Sequence, residues 1–205
     1  MEPEAVDPAV ETLNAYEGYA SQYVDRTSNA RSPLVDDLIG LTAAGDRVLE
    51  LGTGPGRDAV ALEAAGLIVD RTDGAAAFVD RLNAAGHAAR VLNLDAGDFD
   101  GPYDAIFANA VLLHVPRARL TGVLEVARRA TRLGGVLVAS FKNGDGEGWS
   151  DQKLDARRHF TYWREDALQF VVRDAGWTPL KIVDSTQPTS AEEWITLLAR
   201  HELAR

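Results

Sequence analysis

The chain has 205 residues, of which 46% are hydrophobic, so it is long enough for one globular domain with a full core, and we expect a single domain over residues 1–205. It contains no cysteine, which excludes disulfides, thiolate nucleophiles and cysteine-ligated metal centres, and we expect no metal site. The formal net charge of −10 argues against nucleic acid as a partner, because basic side chains supply most of the non-specific affinity for phosphate.

The N-terminal stretch and the apolar runs bear on where the protein resides. Residues 1–10 are acidic and lack the basic and apolar regions of a signal peptide, and we expect them to be loosely held. The longest apolar run, residues 105–115, is too short and too polar to cross a bilayer. We therefore expect a cytoplasmic protein without a membrane partner.

Hydrophobic periodicity predicts helices and strands that alternate along most of the chain. The predicted helices cover residues 11–25, a stretch from about 33, and residues 59–65, 74–85, 116–131 and 164–175. The predicted strands cover residues 46–51, 67–73, 91–94, 103–108, 134–141, 177–185 and 194–198, of which the last could also be a helix. Residues 142–149 are rich in glycine and are predicted to form a loop.

This alternation predicts an α/β fold in which a mostly parallel sheet has helices on both faces. No helix separates the last two strands, so we expect one of them to run antiparallel at the edge of the sheet. The helices that precede the first strand form an N-terminal helical cap over residues 1–45.

A glycine-rich turn follows the first strand, in the segment ELGTGPGRD that begins at Glu50. Its glycines at positions 52, 54 and 56 let the backbone approach a ligand, and the next helix presents unpaired N–H groups. The dinucleotide motif G-x-G-x-x-G would place the third glycine one residue later. The spacing therefore disfavours a nicotinamide-dependent oxidoreductase, which stays an alternative.

Acidic residues end the second and third strands, where ligands bind in sheets of this kind. Asp73 lies about 20 residues after the glycines, where a carboxylate can accept both hydroxyls of a ribose, and Asp70 competes for this role. The simpler role for Asp73 is a helix N-cap. Asp95 could accept a hydrogen bond from an adenine amino group, and Asp98 is its nearby competitor. For both of these residues, a solvated turn is the simpler role.

The residues after the fourth strand complete an ordered series of motifs. The segments ELGTGPGRD, TDGAAAF, LDAGDF, YDAIFANAVLLHVP, LGGVLVASFKNGDGEGW and FTYWREDALQFVVRDAGW resemble those of the small bacterial class I S-adenosylmethionine (SAM)-dependent methyltransferases. The resemblance runs from about Tyr16 to the C-terminus. It implies a three-layer, Rossmann-like, seven-stranded sheet, with SAM as cofactor and S-adenosylhomocysteine (SAH) as product. Arg71 and Thr72 depart from the Val-x-x-Val-Asp that relatives often carry before the ribose acid.

The resemblance also implies a role for particular residues. The glycine turn would surround the methionine end of SAM, Asp73 would bind the ribose, and Asp95 with Ala96 would bind the adenine. Tyr19 and Tyr23 match a Y-x-x-x-Y helix that covers the cofactor. The implied cofactor-binding residues are Tyr23, Glu50, Gly52, Thr53, Gly54, Gly56, Arg57, Asp73, Gly74, Asp95, Ala96, Asn109, Ala110 and His114.

Methyl transfer from a sulfonium needs chiefly proximity and alignment, so the sequence indicates the donor and hides the acceptor. His114 and His159 are the candidate catalytic bases, and packing is the simpler role for His114. Residues 1–45 and 142–163 are expected to bound the acceptor pocket, where basic residues near 157 could attract an acidic molecule.

We expect transfer of a methyl group to an oxygen or nitrogen of a small-molecule metabolite, in a monomer or homodimer. One alternative is a methyltransferase-like protein that binds SAM and is catalytically silent. Turnover distinguishes the two, because both bind the cofactor.

Overall fold

The computed structural model describes residues 6–27, 30–186 and 192–203. Its helices are α1 (Pro8–Arg26), α2 (Leu34–Ile39), α3 (Arg57–Ala64), α4 (Ala76–Ala84), α5 (Leu120–Ala130) and α6 (Glu165–Asp174). Its strands are β1 (Arg47–Leu51), β2 (Ile68–Asp73), β3 (Ala89–Val91), β4 (Tyr103–Ala108), β5 (Thr131–Asn143), β6 (Glu147–Ser150), β7 (Arg158–Trp163), β8 (Thr178–Asp184) and β9 (Trp194–Arg200). Short 3-10 turns at Leu112–His114 and Arg117–Arg119 precede α5.

The strands form a mixed sheet whose central part is parallel. In the order β3-β2-β1-β4-β5, each strand runs parallel to its neighbours. On the far side of β5, β9 runs antiparallel both to β5 and to β8. The predicted α/β fold and its antiparallel final hairpin are therefore confirmed, and the antiparallel strand lies between two others instead of at the edge.

Alternating side chains of the central strands point into two separate cores. Leu49, Ile106 and Leu137 belong to the core under α5 and α6. Val48 and Phe107 belong to the core under α2 and α3. Because successive side chains of a strand point to opposite faces, these strands are apolar at nearly every position and produce the predicted three layers.

The segment from Lys142 to Trp163 is the main correction to the predicted elements. Its first part was expected to be a loop, but β5 continues to Asn143, and β6 pairs with β7 as an antiparallel hairpin. The end of β5 also pairs with β7 in parallel, at Lys142 and Asn143. The glycines at 144, 146 and 148 suggested a loop, but the aromatic residues of β7 favour a strand.

Smaller corrections concern the ends of elements. The third strand ends at Val91, whereas it was expected to run to Leu94. The first helix begins at Pro8, with Asp7 as its N-cap, so the part of the expected loose terminus from Pro8 to Val10 is helical. Residues 1–5 of that prediction lie outside the described residues.

Helix α1 lies over the carboxyl ends of the parallel strands. The backbone N–H of His159 on β7 donates to the Thr12 hydroxyl at 2.8 Å, and that of Ala77 on α4 donates to Glu17 at 3.1 Å. The cap thus connects the hairpin to the helix that follows β2. Among the described residues, no helix has both the length and the apolar character needed to cross a membrane.

Candidate functional site

A first cavity of about 200 Å³ lies at the carboxyl ends of β1, β2 and β4, beneath α1. It brings together most of the residues that the sequence assigns to the cofactor. The predicted residues that line it are Tyr23, Glu50, Gly52, Thr53, Gly54, Arg57, Asp73, Gly74, Asp95, Asn109, Ala110 and His114. Gly56 and Ala96 do not line it, since Gly56 packs under Leu82 and the Ala96 N–H donates to the Asn93 carbonyl at 3.0 Å.

The glycine turn needs its glycines for different reasons. Gly52 has a φ of +67°, and a Cβ atom there would lie 2.6 Å from Cγ2 of Val111. Gly54 has a φ of +48°, but a Cβ atom there would meet no atom within 4 Å. The first glycine therefore permits close packing between β1 and the segment after β4, and the second leaves open space on the cavity wall.

Asp73 ends β2 with its carboxylate nine-tenths buried at the cavity wall. Its oxygens accept hydrogen bonds from the backbone N–H of Gly54 at 2.8 Å and of Ala75 at 2.9 Å. Burial raises the pKa of Asp73, and these bonds oppose that rise. A carboxylate has about four lone-pair sites, so this one can accept further hydrogen bonds from a ligand.

Asp70, the competitor, is directed to other partners. Its carboxylate accepts hydrogen bonds from the Tyr103 hydroxyl at 2.6 Å and from Arg90 at 3.0 Å, and it does not line the first cavity. The unusual Arg71 and Thr72 also have structural roles. Arg71 pairs with Glu63 of α3 at 2.6 Å, and the Thr72 hydroxyl donates to the Glu50 carbonyl at 2.7 Å.

Glu50 lies on β1 with only 3% of its surface exposed. Burial raises the pKa of Glu50 to about 7, although the Thr53 hydroxyl, which donates to its carboxylate at 2.5 Å, opposes the rise. The neighbouring carboxylates of Asp58 and Asp73 raise the pKa of Glu50 in the same direction as burial. A cationic group in the cavity would favour the ionised form of Glu50.

The segment after β4 is held by a chain of hydrogen bonds. The Asn109 amide donates to Asp58 at 2.9 Å and accepts from the Ser140 hydroxyl at 2.9 Å. The same hydroxyl accepts from the backbone N–H of Ala110 at 2.8 Å. Ala110 is left-handed, with a φ of 54°, and this chain of bonds fixes that unusual conformation at the cavity wall. Asp58 and Ser140 are therefore two residues of the site that the sequence motifs did not indicate.

The segment that follows β3 contributes charged residues to the border of the first cavity. Asp95 lines the first cavity and pairs with Arg119 at 2.9 Å, and Arg119 also pairs with Asp7 at the start of α1. This arrangement connects the cap to the predicted adenine region. It leaves Asp95 partly exposed, so its carboxylate stays accessible.

A second cavity of about 360 Å³ adjoins the first. Tyr16, Tyr23, Ala110 and His114 line both. Alternate residues of β7, Arg158, Phe160 and Tyr162, form one of its walls. The predicted acceptor regions, the cap and residues 142–163, thus contribute to a single cavity beside the first.

His114 lies on the wall between the cavities. Its Nδ1 is 2.6 Å from the carbonyl oxygen of His159, and its Nε2 is 2.9 Å from the Tyr16 hydroxyl. A carbonyl only accepts, so Nδ1 carries the proton in the neutral ring, and Nε2 accepts from Tyr16. The pKa of His114 is lowered to about 3, chiefly by burial; the hydrogen bond to the His159 carbonyl opposes this, and the nearby charge of Arg158 acts in the same direction as burial.

The other candidate base, His159, lines neither of the two cavities. It alternates along β7 with the wall residues and therefore points to the opposite face of the hairpin. There its ring packs against Trp149 at 5.4 Å between centroids, and its Nε2 is 3.7 Å from Glu147.

Tyr16 is a site residue that the sequence motif did not indicate. The predicted pair was Tyr19 and Tyr23, but Tyr19 is 38% exposed and has non-helical backbone angles that kink α1. Tyr16 and Tyr23 pack edge to face at 5.4 Å between ring centroids and line both cavities. A spacing of seven residues, two helical turns, was the available signal.

The chain matches a family model described as "Methyltransferase domain" over residues 20–182. It therefore belongs to that family. The predicted resemblance is confirmed, and the chain is a class I SAM-dependent methyltransferase. No curated protein matches it significantly.

Several solved structures have the same fold as this chain. A Burkholderia thailandensis 1,6-didemethyltoxoflavin-N1-methyltransferase is 17% identical with a TM-score of 0.72, and the match covers 98% of this chain and 93% of that one. Magnesium protoporphyrin IX methyltransferase from Synechocystis PCC 6803 is 15% identical with a TM-score of 0.74, covering 97% and 99%. A putative methyltransferase from Haloferax volcanii, in complex with the activator Trm112, is 16% identical with a TM-score of 0.73, covering 95% and 99%. At these identities the likeness confirms the Rossmann-like fold.

Proposed function

We propose that this methyltransferase holds SAM in the first cavity and transfers the methyl group to an oxygen or nitrogen of a small molecule held in the second. The observation that carries the proposal is the wall that the two cavities share, formed by Tyr16, Tyr23, Ala110 and His114. SAM in the first cavity and an acceptor in the second would be in contact at this wall, without any rearrangement of the sheet.

The residues of the first cavity suit SAM. The buried Asp73 carboxylate has lone pairs left for two ribose hydroxyls, and Glu50 offers a carboxylate to a cationic amino-acid tail. The open space beside Gly54 leaves room for a ligand at the turn. We assign the adenine to the part of the cavity lined by Leu92, Asn93, Leu94 and Asp95, and we leave out Ala96 because its N–H is already used.

SAM carries its methyl group on a positively charged sulfur, which makes the methyl reactive toward a lone pair. The protein contributes mainly alignment, which can lower a barrier by about 7–11 kcal/mol. A general base works best with a pKa near the working pH, and His114 has a pKa of about 3 with its Nε2 already bonded to Tyr16. We therefore assign His114 to positioning Tyr16 on the shared wall.

The related structures support a small acceptor. The Burkholderia enzyme was solved with 1,6-didemethyltoxoflavin and SAH bound, and the Synechocystis enzyme is named for magnesium protoporphyrin IX. Both names specify a small molecule. The net charge of −10 of this chain also disfavours nucleic acid as the acceptor.

Turnover and binding together test the proposal. Calorimetry measures SAH binding, and transfer of a labelled methyl group is followed with a panel of small hydroxyl, carboxyl and amine compounds. We expect at least one compound to accept the label, and Ser150→Trp, which fills the second cavity, to abolish transfer without changing SAH affinity. Asp151→Trp is the matched control, because Asp151 is exposed and lines neither cavity. SAH binding without transfer to any compound would instead favour a catalytically silent SAM-binding protein.

A further inference from the structure

The second cavity contains a buried cation that no acid of the described residues neutralises. Arg158 is only 3% exposed, and no carboxylate among the described residues lies within ion-pair distance of its guanidinium. The other buried charged side chain among the described residues of the second cavity, Lys142, does have an opposite partner, Glu192, at 2.8 Å. An unpaired charge in such a place is costly, and an ionic partner relieves that cost.

The hydrogen bonds of Arg158 leave part of its donor capacity free. Its Nη1 donates to the Tyr16 hydroxyl at 3.2 Å, and its Nη2 donates to the carbonyl of Gln152. Its buried Nε has no partner among the described residues. Both of the partners that it does have are neutral, so the positive charge stays uncompensated.

The surroundings of Arg158 favour a flat molecule next to the charge. The guanidinium carbon lies 5.2 Å from the ring centroid of Phe160 and 5.5 Å from that of Tyr16. The rings of Tyr16, Phe160 and Tyr162 all line the second cavity. Aromatic walls around a planar cation suit a compound that combines an aromatic ring with an anionic group.

The other charges of the cavity indicate which anion fits. Lys142, Lys153 and Arg158 line it together with the acids Glu192 and Glu193, and Glu192 pairs with both lysines. The lining therefore carries one more positive than negative charge, in a chain whose net charge is −10. This balance suits a single negative charge, and the two acids disfavour a phosphate dianion.

We propose that Arg158 is the anchor for a carboxylate of the methyl acceptor, so that the acceptor is an aromatic carboxylic acid. The proposal rests on the proposed function of the second cavity and names its substrate class. The planar guanidinium binds a carboxylate with charge-assisted hydrogen bonds and fixes its orientation. Because Arg158 also holds the Tyr16 hydroxyl, the anchored acid lies beside the wall shared with the first cavity.

Arg157 provides a matched control on the neighbouring position. Its side chain is 61% exposed, pairs with Glu11 of α1, and lines neither cavity. Replacing it by glutamine removes the same charge from the residue that precedes β7, where the guanidinium lies over the ring of Trp149. Exposed ion pairs contribute little to stability, so the variant should fold normally.

The test compares aryl carboxylates, such as benzoate and 4-hydroxybenzoate, with their neutral amides on protein saturated with SAH. In the wild type we expect each acid to bind about 10- to 100-fold more tightly than its amide, measured by calorimetry. Arg158→Gln should abolish this preference, Arg158→Lys should keep part of it, and Arg157→Gln should keep it all. If Arg158→Gln fails to bind SAH and so has not folded, the partial loss in Arg158→Lys carries the test.

Equal binding of acids and amides by the wild type, including failure of every acid to bind, would overturn the proposal. Tighter binding of phenyl phosphate than of benzoate would also overturn it, in favour of a phosphate. Methyl transfer to the aryl acids at the wild-type rate by Arg158→Gln would support the proposed function but refute the role of Arg158 as the anchor. If acids bind through Arg158 but are never methylated, Arg158 is a carboxylate-binding residue and the proposed methyl transfer to these acids is wrong.

Discussion

The hydroxyl of Tyr16 lies 2.9 Å from Nε2 of His114, although 98 positions separate the two residues in the chain. This bond joins the cap helix α1 to the segment after β4, on the wall that both cavities share. It also uses the lone pair that His114 would need as a general base. The arrangement therefore favours transfer that depends on alignment.

The role of His114 can be tested by substitution. His114→Asn retains a donor for the His159 carbonyl but removes the imidazole. Because we assign His114 to positioning, we expect kcat to fall by less than about tenfold. Loss of a general base would lower kcat by about 10²–10⁴-fold. The measurement is kcat against pH with the best acceptor. A loss above a hundredfold, together with the disappearance of a limb of the wild-type pH profile, would assign His114 as the base.

Asp73 and Asp70 make contrasting predictions. Asp73→Asn should weaken SAH binding by about 10- to 150-fold, because the ribose hydroxyls lose a charged acceptor worth about 1.5–3 kcal/mol. Asp70→Asn should leave SAH affinity unchanged and lower the free energy of unfolding, because it weakens the bonds to Tyr103 and Arg90. Calorimetry and chemical denaturation measure the two effects. Reversal of the two affinities would assign the ribose to Asp70.

Glu50 makes the affinity for SAH depend on pH. Its pKa of about 7 means that it is mostly protonated below pH 7, whereas the cationic amino group of the ligand favours the carboxylate. Affinity should therefore rise between about pH 5.5 and 7.5, by at most about tenfold per pH unit, with release of a proton on binding. Glu50→Gln should remove both the slope and the proton release. The observables are calorimetric affinities in buffers of different ionisation enthalpy, and a wild-type slope that survives in Glu50→Gln would refute the assignment.

Gly52 and Gly54, two of the three left-handed glycines of the turn, should respond differently to alanine. Gly52→Ala places a methyl group against Val111 in a strained conformation and should lower the free energy of unfolding by about 2–4 kcal/mol. Val111→Ala in the same chain should restore part of this loss. Gly54→Ala should cost only about 1–2 kcal/mol, because nothing in the protein meets the new methyl group, yet it should weaken SAH binding. Denaturation curves with and without SAH separate the two, and equal losses of stability would contradict the packing described here.

The parallel half of the fold could be predicted because its signals are local. The strands β1 and β4 are short, mostly apolar runs followed by Gly52 and Asn109, and the helices of this half show the expected period. The hairpin of β6 and β7 was missed because its pairing depends on the far end of β5 and on α1. Such long-range contacts produce no alternation of apolar and polar residues in a segment rich in glycine, so the sequence does not indicate a strand there.

In the candidate site, too, only the residues placed by local signals could be predicted. Asp73 is the last residue of β2 and Asn109 directly follows β4, so their positions could be anticipated from the order of the elements. Tyr16 and Arg158 are 142 positions apart in the chain, and their contact depends on the packing of α1 against β7 and on the alternation of side chains along β7. Sequence spacing alone cannot show which side of a hairpin faces a cavity.

A structure with SAH bound tests the central claim most directly, because it locates the sulfur atom relative to the shared wall. We expect the ribose hydroxyls to lie against Asp73, and the sulfur to lie beside Ala110 and His114 and to face the second cavity. A sulfur atom that faces any other wall, with the second cavity out of its reach, would contradict the transfer proposed here.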